Sequence, residues 1–91
     1  MRNFAPLYRG TVYDDARDQL WNLSIYLEIG KERPFLHCVV DCDGSHYFPA
    51  LFELNGDLIN YYTRMDRALI RATQRVIIQN EYIFKNILKN S

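Results

Sequence analysis

Hydrophobic and polar residues alternate along the ten positions from Leu20 to Ile29. The apolar set is Trp21, Leu23, Ile25, Leu27 and Ile29, interleaved with Asn22, Ser24, Tyr26 and Glu28. In a helix, at about 100° per residue, these apolar side chains would be scattered around the whole axis. In a strand they would share one face, because successive side chains point to opposite faces. The pattern therefore predicts a strand over 20–29.

Further segments have the composition of strands, and turn signals separate them. They are 7–13, 35–42, 47–54 and 58–62, and the first has the weakest pattern. Asp43-Gly44 and Asn55-Gly56 each predict a two-residue hairpin turn, because both central residues of a type I′ turn need positive φ. Pro49 predicts a bulge or an edge position in its strand, since proline has no backbone N–H to donate. We expect an antiparallel meander of four or five strands.

The apolar period lengthens to that of a helix after Thr63. The run Thr63-Arg64-Met65-Asp66 has the spacing of an N-terminal capping box, with Asp in the usual Glu position. The predicted helix spans 64–89. Its broad apolar face contains Met65, Leu69, Ile70, Thr73, Val76, Ile77, Ile83, Phe84, Ile87 and Leu88. A break near 79–81 stays open as an alternative. One long C-terminal helix packed on one face of the sheet would complete an α+β fold.

Composition predicts one small domain, because the chain has 91 residues of which 48% are hydrophobic. The formal net charge is zero, and its distribution is uneven. Residues 1–63 carry five Lys or Arg and nine Asp or Glu, whereas residues 64–91 carry six and two. An acidic body therefore precedes a basic C-terminal part. No segment has the roughly 20 apolar residues of a membrane span or the pattern of a secretory signal. We expect a cytoplasmic protein without a membrane partner.

The stretch HCVVDCDGSHYF, residues 37–48, concentrates residue types that bind metals. Two zinc-bound sulfurs lie within about 4 Å of each other, whereas Cys38 and Cys42 in one extended strand would have Cα atoms about 13 Å apart. Across the turn, His46 is expected to face Asp41 as a cross-strand polar pair. Local spacing does not assemble either histidine with a cysteine and an orienting group for nucleophilic catalysis. We expect free thiols, no metal, no cofactor and no catalytic site, so the protein is not expected to be an enzyme.

Two of the predicted strands, 35–42 and 47–54, are apolar on both faces. A sheet with one solvated face would show clean alternation of apolar and polar residues. One helix covers only one face, so residues 1–6, a second copy of the chain or another protein would have to cover the other. Tyr26, Phe35 and Tyr47 are the candidate contact residues on the sheet.

A basic row lies opposite the apolar face of the predicted helix. It comprises Arg64, Arg67, Arg71, Arg75, Lys85 and Lys89, together with the apolar side chains of Ile78 and Tyr82. Such a row is usually a solvated face. Arginine in the first turns, however, opposes the helix dipole, and two apolar side chains interrupt the charged surface. An acidic partner would account for both features.

The sequence therefore supports two hypotheses about function. The first is a small protein-binding module, acting as a subunit, adaptor or inhibitor of an acidic protein, or as a homodimer. By analogy of size alone, such a module suggests phage or mobile-element origin. The alternative is a single-stranded nucleic-acid binder that stacks bases on surface aromatics and neutralises phosphates with the arginines. Its stacking candidates are Tyr26, Phe35, Tyr47 and Tyr61.

Overall fold

The chain folds as an antiparallel sheet followed by two helices. The computed structural model describes residues 5–44, 46–60 and 62–89. The elements are β1 (Tyr8–Asp14), β2 (Gln19–Ile29), β3 (Pro34–Asp41), β4 (Tyr47–Phe52), α1 (Arg67–Gln79) and α2 (Glu81–Lys89). Sheet neighbours are also neighbours in sequence, in the order β1-β2-β3-β4, and every pair is antiparallel. The predicted α+β meander is confirmed at this level.

Strand β2 shows the predicted alternation from Trp21 to Ile25, whereas Leu27 is only half-buried and Ile29 is 74% exposed. Trp21, Leu23 and Ile25 are buried on one face, and the intervening Asn22 is exposed. Leu23 stands opposite Val40 of β3 in the antiparallel register. Position by position, the apolar side chains of neighbouring strands therefore fall on the same face of the sheet.

The helices cover this apolar face and close a single cluster of buried side chains. Leu69 and Ile77 of α1, Phe84 of α2 and Phe52 of β4 are all fully buried in it. Removing side chains of this size from water contributes about 1.5–3 kcal/mol each before the entropy of ordering is subtracted. The apolar periodicity of 64–89 thus identified the face that packs on the sheet.

The first helix begins three residues later than predicted. Asp66 is its N-cap, and Oδ1 of Asp66 accepts a hydrogen bond from the backbone N–H of Leu69 at 3.0 Å. Thr63 is not the cap, because its hydroxyl donates to the carbonyl of Pro49 at 2.6 Å and accepts from Met65 N at 3.1 Å. Thr63 ties the chain to β4, and Arg64 therefore lies outside the helix.

The prediction of one long helix is wrong, because the helix is interrupted at Asn80. Asn80 has φ −113° and ψ 15° and caps the C-terminus of α1. Its side-chain Nδ2 donates to the carbonyl of Val76 at 2.9 Å, and its own carbonyl accepts from Ile83 N at 2.9 Å. Asparagine competes with the backbone for hydrogen bonds in this way, which favours helix ends over helix interiors.

The predicted fifth strand over 58–62 is also wrong. A turn forms at Asn55-Gly56, but it is not the predicted type I′ turn, because Gly56 has φ 96° whereas Asn55 is not among the described residues with positive φ. Among the described residues of 58–62, only Leu58 makes a ladder bridge, to Phe52. Beyond it, the side-chain Oδ1 of Asn60 accepts from Leu51 N at 2.7 Å. Ile59 N still donates to the carbonyl of Leu51 at 2.8 Å, so the segment follows the outer edge of β4 with one backbone and one side-chain hydrogen bond and without the regular pairing of a strand. Pro49 lies in β4, which is the last strand in the sheet order, and this agrees with the predicted edge position.

The connection between β3 and β4 is wider than a two-residue hairpin. Asp41 pairs with Tyr47, so five residues, 42–46, lie between the paired ends. Gly44 has φ 78°, and Asp43 is not among the described residues with positive φ. Aspartate side chains stabilise this loop instead: Asp41 Oδ1 accepts from Gly44 N at 3.3 Å, and Asp43 Oδ1 accepts from His46 N at 3.0 Å. The expected Asp41–His46 pair is therefore wrong.

Candidate functional site

The predicted partner-binding residues lie on two opposite sides of the molecule. Tyr26 and Phe35 belong to the sheet face that points away from the helices, because each is adjacent in sequence to a buried core residue. Tyr47 shares that face, being paired with Asp41. The arginines lie on the helical layer, which covers the other face. One flat partner surface cannot contact both groups at once.

The helical group is centred on three arginines of α1. Arg67, Arg71 and Arg75 are exposed and follow one another at intervals of four residues, which places them along one side of the helix. Ile78, three residues after the last arginine, continues the row and is 58% exposed. We call these four residues the basic stripe.

Local carboxylates do not neutralise the stripe within residues 5–44, 46–60 and 62–89. The ion pairs described there use Arg17, Arg33, Lys85 and the two histidines, and none uses an arginine of the stripe. The first turn of α1 also contains no acidic residue. The charges of the three arginines are therefore presented to solvent along α1, and Arg67 lies in the first turn, where the helix dipole is also positive.

The remaining predicted residues of the helix surface are less well aligned with the stripe. Arg64 is exposed but precedes the helix. Tyr82 is 64% exposed and belongs to α2, beyond the interruption at Asn80. Lys85 Nζ lies 2.6 Å from Oε1 of Glu81, so its charge is neutralised within α2. Exposed Lys89 ends α2. The four central residues of the predicted row therefore lie together on α1. Arg64 precedes that helix, and Tyr82, Lys85 and Lys89 belong to α2.

The open sheet face mixes apolar and polar side chains. The apolar residues are half-buried Phe35, Val39 and Leu51 and exposed Pro49 and Tyr47. Tyr26 and His37 lie side by side, with ring centroids 6.2 Å apart, and His37 Nδ1 is 2.9 Å from Oε1 of Glu28. The second apolar side predicted for β3 and β4 is present, while β2 supplies polar groups to the same face. Of residues 1–6, one of the suggested covers, the first four lie outside the described part of the chain.

The geometry separates three of the four predicted stacking residues from the arginines that a nucleic-acid site would need. Tyr26, Phe35 and Tyr47 are on the open sheet face, and the arginines of the stripe are on the opposite layer. Tyr61, the fourth stacking candidate, lies outside the described residues. A depression of about 390 Å³ on the sheet face is lined by one cation, Arg9, and one carboxylate, Asp41, among other residues. This surface has little net charge to attract phosphates.

A cysteine–histidine pair for catalysis is not assembled around Cys38. Cys38 is fully buried, and this burial raises the pKa of its thiol well above the usual value. The neighbouring His37 points to the opposite face of β3, because adjacent strand residues alternate. A protonated, inaccessible thiol is not a nucleophile.

Sequence reasoning missed one cluster, at the β3–β4 loop. One potential ligand atom from each of Cys42, Asp43 and His46 lies within 4.8 Å of the other two. The sequence-based prediction extended β3 through Cys42 and placed His46 opposite Asp41, which separated these groups. The signal that could have found them is a cysteine and a histidine four residues apart on either side of a glycine turn.

Comparison with protein-family models, curated proteins and solved structures finds no match to this chain. Among the described residues, neither helix combines the length and the apolar character needed to cross a membrane.

Proposed function

We propose that this protein is a small, non-enzymatic protein-binding module that docks through its basic stripe onto an acidic surface of another protein. The observation that carries the proposal is the combination of three exposed arginines, unpaired with carboxylates in the described residues, with the exposed side chain of Ile78 in the same row. Tyr82 is also exposed and lies in α2, beyond the interruption at Asn80. Arginine and aromatic residues are enriched at the centres of protein interfaces and dominate their binding energy.

The electrostatics of α1 favour a partner that carries carboxylates. An arginine near a helix N-terminus costs about 0.3–1 kcal/mol relative to an acidic residue. Arg67 lies in the first turn of α1, where this cost applies, and no ion pair of Arg67 with a carboxylate is described in residues 5–44, 46–60 and 62–89. An acidic partner would remove this cost, and the planar guanidinium can bind a carboxylate through two parallel hydrogen bonds.

The open sheet face supports a second contact on the other side of the molecule. Val39 stands between Ser24 and Pro49 in the sheet register and is half-buried. This face could pair with its counterpart in a second copy, since a two-fold axis brings the same patch of both chains together. A homodimer built through this face is therefore the second candidate, and it leaves the basic stripe free.

A double charge reversal tests the proposed function. Arg71→Glu with Arg75→Glu should abolish capture of the partner that the wild-type chain retains from cell extract, and should leave the thermal midpoint nearly unchanged. The matched control is Arg9→Glu with Lys31→Glu, which makes the same charge change at two exposed cations elsewhere. If the control loses the partner equally, the stripe is not the docking surface. A large loss of folding in the stripe variant would show that its arginines pair with the acidic sheet within the chain.

Salt dependence separates this proposal from nucleic-acid binding. Binding to single-stranded DNA or RNA should weaken steeply as salt rises, because bound phosphates release counterions. We expect no saturable change in the fluorescence anisotropy of a labelled oligonucleotide at 0.1 M salt, where protein docking should persist. Tight oligonucleotide binding that is lost in the Arg71→Glu, Arg75→Glu variant would favour the nucleic-acid alternative instead.

A further inference from the structure

The β3–β4 loop brings a thiol, a carboxylate and an imidazole together on the surface. One donor atom from each of Cys42, Asp43 and His46 lies within 4.8 Å of the others. Around a four-coordinate zinc ion, with bonds of about 2.0–2.3 Å, donor atoms are about 3.3–3.8 Å apart. Displacements of about 1 Å would therefore bring the three donors to one ion. Asp43 and His46 are exposed, and Cys42 is partly buried against the edge of the core cluster.

The loop backbone already orients these residues. Asp43 Oδ1 accepts from His46 N at 3.0 Å, and Asp43 Oδ2 lies 2.8 Å from Nδ1 of His46. Gly44, at φ 78°, allows the reversal between them. Two of the three donors are therefore in direct contact, so their convergence needs no rearrangement of β3 or β4.

We propose that Cys42, Asp43 and His46 form a surface site for a thiophilic divalent metal ion, of which Zn²⁺ is the type. A thiolate with an imidazole is the ligand combination of zinc sites, whereas Mg²⁺ and Ca²⁺ select oxygen ligands alone. The Cys42 thiol releases its proton to solvent as the metal–sulfur bond forms. The three protein ligands leave the fourth position of a tetrahedral ion open to water.

The surroundings make the site accessible. The side chains of Asp43 and His46 are 48% and 63% exposed, and Cys42 is half-buried. An ion can therefore reach the donors without opening the core. Cys38 differs in this respect, because it is fully buried and its burial raises the pKa of the thiol. The second cysteine provides a natural control, and the site is independent of the basic stripe.

Cobalt titration of the whole chain tests the site. In the presence of a phosphine reductant, Co²⁺ should bind at one ion per chain and produce a thiolate-to-cobalt charge-transfer band that Zn²⁺ abolishes. Cys42→Ser should remove the band, and Asp43→Asn and His46→Asn should each weaken binding by about tenfold or more. Cys38→Ala and His37→Asn should bind as the wild type does.

The outcomes are exclusive, since Asp43 and His46 are exposed, Cys42 is half-buried, and the fold of each variant can be checked by circular dichroism. A band that persists in Cys42→Ser would overturn the proposal. So would equal affinity in folded His46→Asn, or a stoichiometry that depends on His37. Absence of saturation at millimolar Co²⁺ would show that the loop is not a metal site.

Discussion

Arg17 binds the buried carboxylate of Asp14, with Nη1 2.6 Å from Oδ2. Asp14 ends β1 with a fully buried side chain, and its Oδ1 also accepts from the backbone N–H groups of Ala16 and Arg17 at 3.0 and 3.3 Å. The same guanidinium forms an ion pair with Asp66, the N-cap of α1. Arg17 thereby connects the β1–β2 turn to the beginning of the helical layer.

This arrangement predicts a loss of stability in acid. Burial, the largest influence, raises the pKa of Asp14, but the hydrogen bonds and charge of Arg17, with the Ala16 amide, together lower it below the ordinary value. A carboxyl group with a lowered pKa stabilises the folded state above its unfolded pKa of about 3.9 and loses that contribution as pH falls through the folded value. The urea midpoint of the wild type should therefore fall as pH is lowered from 5 to 2.

The matched variant for this prediction is Asp14→Asn. It should be less stable than the wild type at pH 7, and the difference in the free energy of unfolding should shrink towards pH 2, because asparagine does not titrate. Urea titrations of both proteins across this range measure the difference directly. A gap that is constant over the whole range would mean that Asp14 has the same pKa folded and unfolded.

Local patterns predicted the sheet because the residues that determine the buried face of a strand lie within that strand. The alternation around Trp21 and Leu23 fixes the buried face of β2 by itself. The ends of the helices depend on distant partners. Thr63 has good cap chemistry but hydrogen-bonds to Pro49, 14 residues away, and the cap passes to Asp66, which pairs with Arg17. The capping pattern spans only residues 63–66, so it contains no information about the contacts with Pro49 and Arg17.

The same distinction applies to the candidate sites. Helical periodicity was sufficient to align Arg67, Arg71 and Arg75, since they share one uninterrupted helix. It misaligned Tyr82, because it assumed a continuous axis through Asn80. The Cys42 cluster was missed for a related reason: whether β3 ends at Asp41 or one residue later decides which side chains converge, and aspartate hydrogen bonds within the loop decide that boundary.

The two thiols should differ in reactivity. Cys42 is half-buried in a surface loop and Cys38 is fully buried in the core. Because the thiolate is the reactive form, iodoacetamide should modify Cys42 in the native protein, whereas Cys38 should react only after addition of denaturant. Mass spectrometry of the two peptides at successive times measures both rates. Equal rates in the native state would contradict the burial of Cys38.

Thr73 and Thr63 differ in whether their hydroxyl groups are hydrogen-bonded, so valine substitutions at the two positions can be compared for their effect on stability. The hydroxyl of Thr73 is buried in α1 and has no hydrogen-bond partner in the described part of the chain. Thr73→Val should leave stability unchanged or raise it by about 1 kcal/mol, since the substitution removes a buried unsatisfied group at similar shape. Thr63→Val should lower stability by about 1 kcal/mol, because that hydroxyl makes two hydrogen bonds. Chemical denaturation of both variants compares them, and the reverse order would contradict these assignments.

Adjacent valines of β3 test which face of the sheet is free. Val40 is fully buried and stands opposite Leu23, so Val40→Lys should prevent folding or cost several kcal/mol by burying a charge without a partner. Val39 points to the open face, so Val39→Lys should cost less than about 1 kcal/mol in the monomer. Denaturation and light scattering of both variants give stability and mass. If the wild type is a dimer through this face, Val39→Lys should yield a folded monomer. If Val39→Lys is as damaging as Val40→Lys, the face is covered by the chain itself, and docking through the sheet is excluded.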